Sequence, residues 1–191
     1  MRTPRSRRAL LATAVSFSVA FAGCFDDQFT DDDPDEPRVV STDEYDCVNS
    51  ERPDPLPPEQ ENAIEPGSYP SRPTSLLETG DQYVLEFERT YRRNAFVEEY
   101  GSETRTFEFE LQTQQMDALE SDDRREAILV SIVYNLTTAT RQLPTSTERD
   151  TRVTYYVDEN VVLRARYNGL ADEPSFDPDP RDAGTPVACF E

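Results

Sequence analysis

Cysteine, carboxylate and tyrosine are the side chains with which this chain could do chemistry. It has three Cys, 39 Asp plus Glu, nine Tyr and no His. General acid–base catalysis most often uses His, so a Ser–His or Cys–His nucleophile is excluded. Paired carboxylates could hydrolyse a substrate, but among so many acids no pair stands apart. The six glycines include no phosphate-cradling pattern, which argues against a nucleotide cofactor. Asp177-Pro178-Asp179-Pro180-Arg181-Asp182 alternates acids as a calcium loop does, yet lacks the internal Gly and the closing Glu. The expectation is a chain that is not an enzyme, with no cofactor and no metal.

Charge narrows the class further. All 19 basic residues are Arg, with no Lys. Four of them lie before residue 24 and no acid does, so the remainder has 15 Arg against 39 acids, a net of −24. Nucleic-acid binding needs a basic footprint and is not expected. Disorder is the plain explanation of such an excess. Life in high salt is the other, because the Debye length near 1 M is about 3 Å and surface carboxylates then hardly repel. Acid-rich, Lys-free usage resembles that of proteins from extremely halophilic archaea, and the periodic apolar segments of the second half favour that reading.

The first 24 residues read as a leader. Met1 to Arg8 is basic, and Ala9 to Ala22 is apolar or small. Fourteen helical residues span about 21 Å, whereas a hydrocarbon core needs roughly 20 residues, so a signal peptide fits better than a membrane span. Ser6-Arg7-Arg8-Ala9-Leu10-Leu11 resembles a twin-arginine export signal. Phe21-Ala22-Gly23-Cys24 resembles a lipobox. Leader and composition together resemble those of twin-arginine-exported haloarchaeal lipoproteins of uncharacterised function. The resemblance implies export guided by Arg7 and Arg8, removal of residues 1–23, lipid on Cys24, and a place on the outer face of the cytoplasmic membrane. Two long chains on one residue anchor stably. With Cys24 lipidated, Cys47 and Cys189 remain as one pair in an oxidising compartment, which implies a disulfide. Two Cys without His make a poor zinc site.

Residues 24–46 are expected to be the lipidated Cys and a flexible acidic tether, and 47–191 the folded domain, with a Pro-rich strap over 51–73. Nine prolines fall between Pro34 and Pro73, a composition that buries little apolar area. The domain is expected to be α+β, with one long helix over Thr79–Gly101 packed on a four-stranded antiparallel meander. Thr79 and Gln82 match a capping box, and Gly101 stands where a helix-ending glycine belongs. Val84, Phe87, Tyr91 and Ala95 form an apolar stripe, while Glu88 and Arg92 are placed on the wet side as an i,i+4 pair. Alternation predicts strands around Phe107–Leu111, Ile128–Leu136, Val153–Val157 and Val161–Tyr167. A hairpin is expected at Asp158-Glu159-Asn160, and a Pro-rich loop returns to Cys189. By order of elements only, this looks like the cystatin-like or NTF2-like group, which says nothing of function.

The leading functional expectation is a non-enzymatic envelope or partner-binding module held at the membrane by Cys24. The alternative is a small-ligand domain whose pocket, between helix and sheet, is lined by Tyr83, Phe87, Tyr91, Tyr134 and Tyr155. An enzyme using carboxylates and Tyr in that concavity ranks last. Asn135-Leu136-Thr137 is an N-glycosylation sequon, so Asn135 is a candidate modification site.

Overall fold

The computed structural model describes residues 39–119 and 126–190. Arg7, Arg8, Cys24 and the leader lie outside the described residues. The domain is α+β, with one long helix, α1 (Leu76–Tyr100), followed by a five-stranded antiparallel sheet. The strands are β1 (Thr104–Leu119), β2 (Ala127–Thr140), β3 (Ser146–Val157), β4 (Val161–Arg166) and β5 (Thr185–Cys189), neighbours in that order. The fifth strand corrects the four-stranded expectation. Its five residues, Pro186 among them, carry too weak an alternation to predict a strand. A short helix, α2 (Pro180–Ala183), precedes it.

The helix begins a turn earlier than expected. Ser75 caps it, its Oγ accepting from Glu78 N at 3.3 Å, so the N-cap is Ser75 and not Thr79. At the other end Gly101 adopts φ +48°, a left-handed conformation that glycine takes without steric cost. Its N–H bonds to Val97 O and stops the helix.

Two apolar layers flank the sheet. On one face, Leu76, Tyr83, Val84 and Phe87 of α1 meet Ile128, Val130 and Ile132 of β2 and Val153, Tyr155 and Val157 of β3. Burying each such side chain contributes roughly 1.5–3 kcal/mol. At Gly80 the helix packs tightly on the sheet, where an added Cβ would overlap Cδ1 of the fully buried Ile128. Gly80→Ala is therefore expected to lose about 1–2 kcal/mol, overpacking outweighing the gain in helix propensity. Urea unfolding checks this.

The other face is covered by the segment before α1, through Val39, Val40 and Tyr45, and by the loop between β4 and α2, through Phe176. Val40, 1% exposed, packs with Leu119, Leu129, Tyr156, Val161 and Leu163. Its N–H bonds to Tyr156 Oη at 2.9 Å. This corrects the tether boundary at 46: Val39 and Val40 belong to the domain, because the second face of β2–β4 is apolar and needs cover. Tyr156 Oη in turn donates to Asp158 Oδ2 at 2.9 Å, and Asp158 Oδ1 accepts the N–H groups of Asn160 and Val161 to close the β3–β4 hairpin.

Residues 51–73 form no helix or strand and run along α1. Buried Asn94 holds them by both amide atoms, accepting from Gly67 N at 2.8 Å and donating to Gly67 O at 3.0 Å. Arg93 Nε donates to Glu65 O, and the Tyr69 ring packs, tilted by 42°, 4.9 Å from that of Phe87. Cys47 and Cys189 form a disulfide with Cα atoms 5.8 Å apart, joining the start of this region to β5.

Candidate functional site

Glu88 is the centre of the helix–sheet interface. It lies on the stripe of Val84, Phe87 and Tyr91, four residues beyond Val84, and is wholly buried. The expectation of an exposed Glu88–Arg92 pair is thereby corrected. The helix turns Glu88 toward β3 and β4, and its partners come from the sheet. Glu88 Oε1 accepts from Tyr134 Oη at 2.7 Å and Arg164 Nη2 at 2.9 Å. Its Oε2 accepts from Tyr155 Oη at 2.5 Å and Arg164 Nε at 2.8 Å. A carboxylate has about four lone-pair sites, and these four donors fill them.

Burial pushes the Glu88 carboxyl up, but the Arg164 guanidinium and its hydrogen bonds outweigh that and hold it below the ordinary carboxylate range. Burial, reinforced by the Glu88 charge, raises both Tyr134 and Tyr155 well above an ordinary phenol. Burial alone would lower Arg164, yet facing Glu88 it is held well above its usual value. The cluster is therefore an ionised carboxylate and guanidinium with two neutral phenols. Tyr91, half-buried, lies under the Arg164 guanidinium at 4.4 Å.

A second set of charges reaches the surface beside it. Arg92 Nη2 meets Glu148 Oε1 at 2.7 Å, and Arg166 Nη2 meets Glu148 Oε2 at 3.0 Å. Above them, a cleft of about 240 Å³ opens between the end of α1 and the β2–β3 hairpin, with Arg92, Phe96, Tyr100, Leu136, Leu143 and Glu148 in its wall. A cleft of about 280 Å³ near the disulfide includes Val40, Asp46, Leu163, Arg181 and Asp182.

The five aromatic residues read as a pocket lining line neither cleft. Tyr83, Phe87, Tyr134 and Tyr155 are at most 5% exposed. Phe87 meets Tyr155 edge-on at 6.0 Å, and Tyr134 stacks on Phe109 at 4.4 Å. Their rings and Glu88 fill the interface, which corrects the pocket expectation. Buried tyrosines need a partner for the hydroxyl, and here the partner is a carboxylate rather than a ligand. The missed signal was an acid on the apolar stripe with an Arg on an inward strand position. Asn135 is partly buried, its Oδ1 accepting from the N–H of Asp150, a residue with φ +51°. The amide thus props a bulge in β3. Asp179 caps α2 and pairs with Arg181 at 2.6 Å, so this acid of the 177–182 loop is engaged within the protein.

No family model matches the chain, and neither a curated protein nor a solved structure matches it.

Proposed function

We propose that the chain is a lipid-anchored, extracytoplasmic, non-enzymatic module of a halophile's envelope that binds a partner on its surface. The cysteine pattern carries this reading. Two of the three cysteines are joined in the disulfide, a bond that persists in oxidising compartments. The third, Cys24, follows the twin arginines Arg7 and Arg8 at lipobox spacing. A filled helix–sheet interface leaves outer surfaces for recognition. The arginines fit the halophile part of the reading. Arg52, Arg72, Arg89, Arg152 and Arg164 each stack on an aromatic ring, a use suited to a weakly hydrated planar cation. The acids are then the groups left to hold water.

Membrane fractionation in the native host tests the anchor. Cys24→Ser is expected to move the protein from the membrane pellet to the soluble extracytoplasmic fraction. Retention of that variant in the pellet would sink the anchor.

A further inference from the structure

The two edges of the sheet differ. The β5 edge is closed by the strap, with Glu51 N bonded to Pro186 O at 3.0 Å and Cys47 joined to Cys189. The β1 edge runs for sixteen residues. The strap meets its start, where Ile64 N bonds to Thr104 Oγ1 and Arg105 Nη1 to Asn62 O. Beyond that, Glu108, Glu110, Gln112, Gln115 and Asp117 are exposed. An edge strand offers a row of backbone donors and acceptors to another chain, and proteins commonly blunt it with charged side chains, Pro or bulges; β1 has no Pro, and its acids and its register shift at Leu111/Thr113 leave the apolar row on its helix side only partly covered.

Its side chains are arranged to match themselves. Pairing with β2 places Phe107, Phe109 and Leu111 on the helix side. The register then skips Gln112, so that Gln114, Met116 and Ala118 continue the same side. Phe107, Phe109, Leu111 and Met116 are only partly buried within one chain. Turn a second β1 antiparallel, with the two-fold axis between Gln112 and Thr113. Phe107 then faces Ala118, Phe109 faces Met116 and Leu111 faces Gln114, all on the helix side. The irregularity falls at the axis, so both halves stay in step. On the opposite side Glu110 faces Gln115, and Glu108 faces Asp117.

We propose that two copies of this chain pair antiparallel through β1, over residues 106–119, to make one continuous ten-stranded sheet. The paired length is roughly 45 Å of strand. The half-covered apolar row of each copy is completed by the other. The twice-repeated Glu108–Asp117 contact opposes it, since like charges directly opposite are unfavourable. The pairing is therefore salt-dependent: the Debye length falls from about 10 Å at 0.1 M to about 3 Å at 1 M.

Sedimentation equilibrium of the full chain carrying Cys24→Ser tests this, in molar potassium chloride and at roughly 0.1 M. A dimer is expected in molar salt, dissociating as salt falls. Asp117→Arg turns both repulsive contacts attractive and should tighten the low-salt dimer by about tenfold or more. Glu108→Arg should do the same. Within one chain Glu108 sits opposite Thr137 and Asp117 opposite Leu129, so neither reversal breaks an internal cross-strand ion pair. The double reversal restores a like-charge contact and should return to the wild-type affinity. Circular dichroism of each variant controls for folding. A monomer in molar salt would overturn the proposal. So would a dimer indifferent to both reversals, which would be assembled through another surface, or a double variant whose effects add instead of cancelling.

Discussion

Glu88→Ala is expected to cost the fold about 3–5 kcal/mol, the largest loss from any single side chain considered. Removing one partner of a buried ion pair leaves the other charge uncompensated. Here that charge is Arg164, whose side chain is 10% exposed, and two buried hydroxyls lose their acceptor as well. Glu88→Gln should cost less, since it keeps the shape and part of the hydrogen bonding. Replacing Glu88 and Arg164 together by apolar residues of similar volume should recover much of the loss. Urea unfolding in molar salt measures all three, and salt at that strength screens a buried pair far less than exposed ones. A Glu88→Ala protein as stable as the parent would show that the cluster does not hold the helix to the sheet.

The same cluster sets a pH dependence. The folded pKa of Glu88 lies below its unfolded value. A group shifted that way binds fewer protons when folded. Its stabilisation is fully present above the unfolded pKa and is lost as pH falls through the folded one. The stability gap between the parent and Glu88→Gln should thus be widest near neutrality and narrow below about pH 4. A gap that widens on acidification would contradict the ionised state of Glu88.

The second large effect belongs to the disulfide. It closes a separation of 142 residues, for which the loop-entropy model gives roughly 5 kcal/mol. Cys47→Ser with Cys189→Ser is expected to lower stability by about that amount, less any structure kept in the unfolded chain. The losses should appear first around residues 39–51 and β5, which the bridge ties together. Hydrogen exchange should show the N–H groups of Val40 and Glu51, bonded to Tyr156 and Pro186, losing protection before those of β2. Equal protection in both proteins would mean that packing alone holds the strap.

Much of the fold was legible because it rests on local periodicity. The stripe of Val84, Phe87 and Tyr91 and the alternation of Ile128 to Leu136 each report the face that an element buries. Gly101 marked the helix end by its conformational freedom. The N-terminal cap was misread because Thr79–Gln82 and Ser75–Glu78 satisfy the same pattern one turn apart, and only the tertiary contacts of Leu76 extend the helix to the earlier one. β5 was missed because a five-residue strand containing Pro gains its order from β4 and the disulfide. Composition extends the tether past Val39-Val40, because two valines beside an acidic run give no hint of an apolar sheet face awaiting cover.

The sequence by itself determined an acid-rich body without Lys or His and an α+β domain. Those properties reside in composition and in spacings of a few residues. The tertiary structure alone decided what the aromatic residues do. Glu88 and Arg164 are 76 residues apart, and no local rule brings them together. Tyr134 and Tyr155 read equally well as a pocket wall or a packed core. The choice fell when the helix crossed the sheet with a carboxylate facing inward, because a buried charge must find its partner inside the protein. Its partners then occupied the space that a ligand would have needed.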